Sequence, residues 1–469
     1  MADRSRPNGG ARLEIPPIAT ELGERFRLAG HELYLVGGVV RDLLLGRELG
    51  GDLDFATDAL PRETTKVLRG WAERVYLVGV KFGTVGARKA DQVLEITTFR
   101  EEVYAEEHRK PAVTFGKDLR TDLSRRDFTV NAMAIRLPDG EFLDPFGGVK
   151  DLAAKRLDTP LDPEIAFSDD PLRMLRAARF AAQLELVPAP RVVRAIEQMH
   201  DRLEIVSAER INEELTKLLL AEVPSRGLEL VVATGLAGEF LPELAALQLE
   251  QDPVHKHKDV LHHTFAVVEK TEATADPTLR LAALLHDIGK PKTRAITPDG
   301  VSFHHHEVVG ARMARERLQA LRYPAHVVDD VARLVEMHLR FHGYTEWTDS
   351  AVRRYVRDAG PLLDELNQLT RADCTTQNRF KAKKLEALQD DLEERIARLA
   401  EEENLDAMRP PLDGTQVMEH LGIEPGPEVG RALEHLMEIR LERGPIDEDE
   451  AFRQLDAWWR AERYTPGDR

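Results

Sequence analysis

The sequence contains a single cysteine, Cys374, among its 469 residues. One cysteine excludes an intramolecular disulfide framework and any zinc site built from several cysteines. The sequence also lacks an apolar run near the roughly 20 residues that span a bilayer, so no membrane span and no membrane partner are predicted. Residues 1–17 contain proline and glycine but no apolar stretch, so we expect no secretory signal and predict a cytoplasmic protein.

Basic residues are outnumbered by acidic ones, with 65 Lys and Arg against 83 Asp and Glu and a formal net charge of -18. This balance excludes a general basic coat for nucleic acid, so any nucleic-acid site must be a local basic cleft. Hydrophobic residues make up 42% of the chain, which excludes a wholly disordered protein. At roughly 150 residues per domain, the length suggests about three domains.

The hydrophobic pattern divides the chain into a mixed α/β part and a longer helical part. Short β-rich runs at 33–36, 75–78 and 93–96 alternate with helical stretches as far as Gly148, and helical periodicity dominates from Asp151 onwards. We therefore predict an α+β fold, in which a small head with a mixed sheet precedes an all-α neck, body and tail. The predicted segments are a flexible tail (1–17), the head (18–150), the neck (151–250), a histidine-rich body (251–381) and an acidic helical tail (382–469).

A glycine pair follows the first predicted strand. Residues 35–46 predict a strand, a turn at Gly37 and Gly38, and then a helix. Glycines let the backbone approach a ligand closely, and a helix N-terminus offers free N–H groups to phosphate. A plain strand-to-helix turn is the alternative explanation.

Two carboxylates lie in the next predicted strand, at 51–57. Period two places Asp52 and Asp54 on one face, with Leu53 and Phe55 towards the core. Adjacent carboxylates repel each other, and Mg²⁺ between them would relieve this and would be shared with substrate phosphates. Two such ions can hold the attacking and leaving oxygens in phosphoryl transfer. A strand edge with solvated acids is the alternative.

Glu95 is a third acid in an otherwise apolar strand, where it alternates with Leu94 and Ile96. A third carboxylate can complete a two-metal site, or take up the proton of an attacking hydroxyl. The alternative is an ordinary solvent-facing strand residue.

Arginines recur at every third position of a predicted helix, at Arg173, Arg176 and Arg179. Each step of three residues drifts by only about 60° around a helix, so Asp170, Arg173 and Arg176 form a stripe. A fixed carboxylate beside a fixed guanidinium presents acceptors and donors that can read a base edge without a template. The same residues are also typical of a simple helix start, with Asp170 as N-cap, Pro171 at the first position and an Asp170–Arg173 ion pair.

These motifs together resemble the class II tRNA nucleotidyltransferases and bacterial poly(A) polymerases of the polymerase-β-like superfamily. The resemblance is carried, in order, by residues 35–42 with 51–57, by 125–134, by 169–180 and by 207–215. The family usually has Glu-Asp where this chain has Asp169-Asp170, which puts only the role of Asp169 in doubt.

The resemblance implies a role for each matched residue. Asp52 and Asp54 would hold two Mg²⁺ ions, whereas the predicted catalytic role of Glu95 comes from its place in the strand and not from the resemblance. Arg126 and Asp127 would bind phosphate and ribose, and Asp170 with Arg173 would accept C or A and reject G and U. The implied nucleotide-binding residues are Gly37, Gly38, Arg41, Arg126, Asp127, Asn131, Asp170, Arg173, Arg176 and Arg179.

Histidines crowd between His255 and His342, and a His-Asp doublet precedes Gly289 at a predicted helix end. This part resembles an HD domain, a helical metal-dependent phosphohydrolase fold. Imidazole and carboxylate together suit Mn²⁺, Ni²⁺, Fe²⁺ or Zn²⁺ better than Mg²⁺. The domain can alternatively serve mainly as a scaffold. The resemblance implies metal ligands at His263, His286, Asp287 and Asp373, with a second metal at His306 and His338.

The resemblance therefore implies an enzyme that adds CCA to tRNA 3′ ends from CTP and ATP and releases pyrophosphate. Its expected partners are tRNA, ATP and CTP, with no obligate protein partner evident. The nearest alternatives add only CC, only A, or poly(A). An alternative of another class is an HD phosphohydrolase whose head only binds RNA, and an RNA chaperone would leave the aligned carboxylates unexplained.

Overall fold

The structure, a computed structural model, describes residues 13–102, 113–116, 118–248, 260–274, 276–297, 300–374, 379–403 and 409–463. The chain divides into two compact units, Met1–Pro242 and Glu243–Arg469. No helix in these described ranges is both long and apolar enough to cross a membrane. Of the tail predicted at 1–17, residues 1–12 lie outside the described part, and the first helix begins at Pro17.

A seven-stranded mixed sheet forms the centre of the first unit. The first nine strands are β1 (Leu33–Val36), β2 (Asp52–Thr57), β3 (Arg74–Tyr76), β4 (Thr84–Lys89), β5 (Gln92–Thr98), β6 (Arg100–Glu102), β7 (Val113–Phe115), β8 (Ala134–Leu137) and β9 (Phe142–Leu143). The order in the sheet is β3-β4-β5-β2-β1-β8-β9, and β6 pairs with β7 separately. β2 and β5 run parallel, whereas the other neighbours are antiparallel.

The strands predicted at 33–36 and 93–96 are confirmed, whereas the strand predicted at 75–78 ends at Tyr76. A short 3-10 turn at Val80–Phe82 follows, and Gly83 adopts a left-handed conformation with φ +84° before β4 begins. The turn reverses the chain so that β4 can pair with β3, which leaves Leu77 and Val78 outside the sheet and exposed.

One face of the sheet is covered and the other carries the acids. Leu53 and Phe55 of β2 lie in a buried core with Leu94 and Ile96 of β5, as the period-two pattern predicted. Each such burial stabilises the fold by about 2 kcal/mol. A slip of one residue would exchange the two faces, so burial of these side chains fixes the register that exposes the acids. The helices around this sheet are α1 (Pro17–Leu28), α2 (Gly38–Leu44), α3 (Pro61–Leu68), α4 (Leu119–Ser124) and α5 (Gly148–Ala153).

Helices complete the first unit. They are α6 (Pro163–Asp169), α7 (Leu172–Leu184), α8 (Pro190–Met199), α9 (Ala208–Leu219), α10 (Pro224–Ala233), α11 (Ala237–Phe240) and α12 (Pro242–Ala245), the last of which runs into the second unit. Helix α7 packs against α9 and α10. Two short strands, β10 (Arg156–Leu157) and β11 (Val187–Pro188), pair in parallel here, so the neck is not entirely helical as predicted.

In its described residues, the second unit is helical apart from one antiparallel ribbon, β12 (Ala295–Thr297) with β13 (Gly300–Ser302). The β-branched residues Ile296, Thr297 and Val301 explain why this piece of the predicted all-α body is a ribbon. The helices are α13 (Val260–Lys270), α14 (Thr278–Leu285), α15 (Lys290–Thr293), α16 (His306–Ala320), α17 (Ala325–Met337), α18 (Asp349–Ala359), α19 (Leu363–Asp373), α20 (Arg379–Glu403), α21 (Gly414–Leu421), α22 (Pro427–Arg443) and α23 (Glu448–Arg463).

Candidate active site

Three acids lie together on the open face of the sheet. In the parallel pairing of β2 with β5, Asp54 is the partner of Glu95, and Asp52 is the partner of Val93. Cross-strand partners point to the same face, so Asp52, Asp54 and Glu95 share the face opposite the buried core.

A cavity of about 350 Å³ opens above Asp54 and Glu95, and Asp52 is not among its described lining residues. It brings together four residues that the sequence singled out, because Asp54 and Glu95 of the sheet face Arg126 and Arg173 across it. Residues of opposite charge therefore meet in one cleft of an acidic protein. The remaining lining residues, whose presence the sequence did not predict, are Val36, Phe55, Thr84, Thr97, Arg100, Asp122 and Arg125.

Burial and neighbouring acids raise the pKa of Asp54 and of Glu95. Desolvation by the cavity walls raises the pKa of Asp54, and Asp52 raises it further, while the Arg126 guanidinium acts in the opposite direction. Desolvation followed by the charges of Asp54 and Asp52 raises the pKa of Glu95. A divalent cation with a preference for oxygen ligands would relieve this repulsion, so the donor set fits such an ion.

Gly37 brings the backbone against the acids. It precedes helix α2 with φ 76° and ψ -143°, a conformation that is open essentially only to glycine. A Cβ atom at this position would lie 3.0 Å from Arg126 Nη1 and 3.6 Å from Asp54 Oδ2. The predicted strand, glycine turn and helix are therefore confirmed, and the turn borders the acid cavity.

A chain of hydrogen bonds connects Arg41 to Arg176. Arg41 Nη1 donates to Asn131 Oδ1 at 2.6 Å, and Asn131 Nδ2 donates to Asp127 Oδ1 at 3.0 Å. Arg176 Nε donates to the other oxygen of Asp127 at 3.0 Å. Burial alone would raise the pKa of Asp127, but Arg176 and Asn131 overcome it and lower the pKa to about 2. Asp127 is therefore an ionised, buried anchor for the predicted ribose-binding segment.

Glu214 extends this network and was not among the predicted site residues. Its buried carboxylate accepts a hydrogen bond from Arg179 Nε at 2.6 Å and from Arg176 Nη1 at 3.4 Å. The Arg179 guanidinium also lies 4.2 Å from the ring centroid of Phe180. The structure therefore places Arg179 in a supporting network, outside the residues that line the acid cavity. The signal for Glu214 was present in the segment 207–215.

Asp170 and Arg173 lie at the start of α7, but their contacts differ from the expectation. The Asp170 carboxylate accepts the backbone N–H of Leu172 at 3.2 Å, as a capping residue does, and pairs with Arg210 at 2.7 Å. Arg173 donates to the carbonyls of Ala166 and Arg125. The predicted Asp170–Arg173 ion pair is wrong within the described residues, because Asp170 is in an extended conformation (φ -147°) before the helix begins.

The second unit gathers the predicted histidines around Asp287. Two groups have ligand atoms within 4.8 Å of one another: His263, His286 and Asp287, and then Asp287, His306 and His338. His263 Nε2 lies 2.9 Å from Asp373 Oδ1, which adds the sixth predicted residue. All six positions that the resemblance implied as metal ligands therefore meet in one place.

The tautomers of the buried histidines suit metal binding. Nδ1 of His286, His306 and His338 each lies 2.6–2.8 Å from a backbone carbonyl, which can only accept, so Nδ1 carries the proton. Among the described residues, Nε2 of His338 is buried without a hydrogen-bond partner, and Nε2 of His306 lies 3.3 Å from Asp287 Oδ1. Burial, with the neighbouring His286, lowers the pKa of His338 to about 3. The Nε2 atoms of His306 and His338 lie beside the Asp287 carboxylate, so this set of atoms fits a transition-metal ion.

Lys290 was missed by the sequence prediction. Its Nζ donates to Asp287 Oδ2 at 2.6 Å, one helical turn beyond the His-Asp doublet. The spacing of three residues was the available signal. Lys290, Asp287, His306, His338 and Asp373 line a cavity of about 640 Å³.

Comparison with known protein families finds matches in both units. The family described as "Poly A polymerase head domain" matches residues 33–158, "Probable RNA and SrmB- binding site of polymerase A" matches 186–248, and "HD domain" matches 260–402. A CCA-adding enzyme of Anoxybacillus flavithermus is 34% identical over 74% of this chain and 76% of the relative. A CC-adding tRNA nucleotidyltransferase of Thermus thermophilus is 33% identical over 92% and 94%.

A solved structure shares the fold over nearly the whole chain. The Bacillus stearothermophilus CCA-adding enzyme in complex with CTP matches with a TM-score of 0.72 and 27% identity, over 96% of this chain and 99% of that one. The fold and the site thus define a nucleotidyltransferase with a mixed-sheet head and a helical body that contains an HD domain. The chain belongs to the poly(A) polymerase and tRNA nucleotidyltransferase family. Both domain types imply a dependence on divalent metal ions.

Proposed function

We propose that the protein adds CCA to the 3′ end of tRNA from CTP and ATP and releases pyrophosphate. The observation that carries the proposal is the row of Asp54 and Glu95, which faces Arg126 and Arg173 across one cavity. Acids and arginines that face each other suit a nucleoside triphosphate, because arginines bind its phosphates while the acids hold its metal ions. Similarity to the CCA-adding relative supports addition of all three nucleotides, and similarity to the CC-adding relative supports the alternative that only CC is added.

In this proposal Asp52 and Asp54 hold Mg²⁺, which would supply charge to the α-phosphate and to both the attacking and leaving oxygens. Arg126 binds the phosphates with its planar fork, and Arg41, held by Asn131, contributes a second guanidinium. Glu95 accepts the proton of the attacking 3′-hydroxyl at a carboxylate oxygen, a task that its raised pKa favours.

Base selection is assigned to Asp170 and Arg173. Two backbone carbonyls hold the Arg173 guanidinium, which has five N–H donors in a fixed fork, so donors remain for a base edge. Asp170 is held by Arg210, which keeps a carboxylate at the start of the same helix. The hydrogen bonds of Asp127 with Asn131 and Arg176 would hold the proposed ribose-binding segment, residues 125–134, rigid beneath the nucleotide.

The predicted domain division remains a proposal, as does a cytoplasmic location. Family matches over 33–158, 186–248 and 260–402 support a proposed head, neck and body in this order. Helix α20 continues through the predicted boundary at residue 382 to Glu403, so we place the start of the tail after it. We propose that tRNA is recognised through its backbone shape by the neck, body and tail.

A second activity is supported by the histidine cluster. The buried Nε2 atoms of His306 and His338 beside Asp287 favour Mn²⁺, Ni²⁺, Fe²⁺ or Zn²⁺, and the adjoining cavity suits hydrolysis of an RNA phosphate. The test is metal content after dialysis together with hydrolysis of 2′,3′-cyclic nucleotides. His338→Gln should lower both, and His305→Asn, at a neighbouring side chain that is 84% exposed, should lower neither. Equal metal content in the two variants would contradict a metal site.

The main experiment is incubation of the full chain with a tRNA transcript that lacks CCA, with each nucleotide alone and in mixtures. We expect two additions with CTP and three with CTP plus ATP, and none with GTP or UTP. Asp54→Asn should abolish addition. Asp91→Asn is the matched control, since Asp91 is 97% exposed in a turn of the same sheet and has φ +63°, which Asn tolerates. A product that stops after CC would support the narrower alternative.

A further inference from the structure

An aromatic residue extends the acid row on the open face. The register of β3, β4, β5 and β2 places Tyr76, Gly86, Glu95 and Asp54 in one row across four strands. Cross-strand partners point to the same face. A Cβ atom at Gly86 would lie 3.4 Å from Tyr76 Cβ and 3.5 Å from its Cδ2, so the tyrosine ring lies over the glycine. No side chain therefore separates Glu95 from Tyr76 within the row.

The two sides of the acid row have different chemistry. Arg126 and the Gly37 turn lie on the β1 side of Asp54, where the proposed function places the triphosphate. In-line displacement puts the attacking hydroxyl opposite the leaving pyrophosphate. We therefore place the RNA 3′ end on the other side of Asp54, towards β5 and β4. Strand spacing puts the Tyr76 Cα roughly 14 Å from that of Asp54, within reach of a terminal nucleoside.

We propose that Tyr76 is the platform on which the 3′-terminal base of the RNA primer stacks, an inference that rests on the proposed nucleotidyltransferase function. The side chain is 39% exposed, and the exposed apolar surface continues into Val78 and Phe82. Thr84, two residues after Phe82, lines the acid cavity.

Stacking suits the chemistry of repeated addition. The terminal base of the primer changes after every step, so a hydrogen-bonding site for one base would reject the next. An aromatic ring accepts every base, because each base has a π-face, and it holds the primer without selecting its sequence. Tyr76 is therefore a positioning residue for the primer, whereas Asp170 and Arg173 select the incoming nucleotide.

The test measures KM separately for the trimmed tRNA and for CTP with the full chain. Tyr76→Ala should raise the KM for tRNA roughly five- to hundredfold, the worth of one stacked base, and leave the KM for CTP unchanged. Tyr76→Phe and Tyr76→Trp keep a ring and should restore the wild-type KM. Leu28→Ala is the control, since Leu28 is 75% exposed on α1, whose buried residues join the core on the opposite face.

A primer whose 3′-terminal nucleoside is abasic separates stacking from a structural role. On this primer the wild-type enzyme and Tyr76→Ala should have the same KM, because the stacked base is missing from both. An undiminished difference on the abasic primer, or an unchanged KM of Tyr76→Ala on intact tRNA, refutes the stacking role while the wild-type activity stands. A wild-type enzyme that adds no nucleotide overturns the proposed function and this inference with it.

Discussion

Gly37→Ala tests whether the glycine turn serves the acid cavity. The backbone at Gly37 has φ 76° and ψ -143°, where any other residue costs about 1–3 kcal/mol. The added Cβ atom would also lie 3.0 Å from Arg126 Nη1, which must then move. Displacement of a reacting or binding group by about 1 Å lowers catalysis roughly a hundredfold. We therefore expect a modest loss of stability together with a large loss of activity.

Gly46→Ala is the matched control beyond the other end of the same short helix. Gly46 has φ +65°, but no atom lies within 4 Å of its added Cβ, so the substitution brings strain of about 1–2 kcal/mol and no contact with Arg126. Thermal melting should show similar decreases for both variants, about 2–4 °C per kcal/mol for a unit of this size. Only Gly37→Ala should lose kcat/KM for CTP. Equal kcat/KM values in the two variants would refute the assigned role of the turn.

Three further predictions concern charge and packing. Asp54→Asn should raise Tm at pH 7 in EDTA. The folded-state pKa of Asp54 is raised, so the charged carboxylate destabilises the folded protein above that pKa. A lower Tm of the variant would contradict this. Asp127→Asn should lower the free energy of unfolding by about 2 kcal/mol at pH 7, because the folded-state pKa of Asp127 is lowered to about 2. The wild-type protein loses this stability as the pH falls from about 4 towards 2. The Tm values of the wild type and the variant should therefore converge across this window. Gly289→Ala should cost about 3 kcal/mol or more, since its Cβ would lie 2.1 Å from the His306 carbonyl oxygen, and an unchanged Tm of the second unit would argue against that packing.

Some tertiary contacts could not be predicted from local spacing. Asp170 and Arg173 are three residues apart, which predicted an ion pair, but Asp170 lies in extended backbone before the helix and binds Arg210 of another helix instead. Spacing rules hold only within a helix, so a residue just outside it takes whichever partner the packing brings near. For the same reason, helix spacing did not predict the ion pairs of Glu214, whose arginine partners lie on a different helix.

The histidine cluster shows a similar division. The order of His263, His286 and Asp287 indicated a metal site by resemblance, and the structure brings these residues together. The contact of Lys290 with Asp287 and the partnerless Nε2 atom of His338 depend on how α15 and α17 pack.

The sequence by itself determined the faces of single elements. Alternation in β2 placed Asp52 and Asp54 away from the core because Leu53 and Phe55 must be buried, and the glycine pair marked a turn that other residues cannot form. Only the tertiary structure decided that Asp54 pairs with Glu95, and that the row continues to Tyr76. Strand order and register depend on side chains far apart in the chain that are buried together, and no local period records which strands will be neighbours.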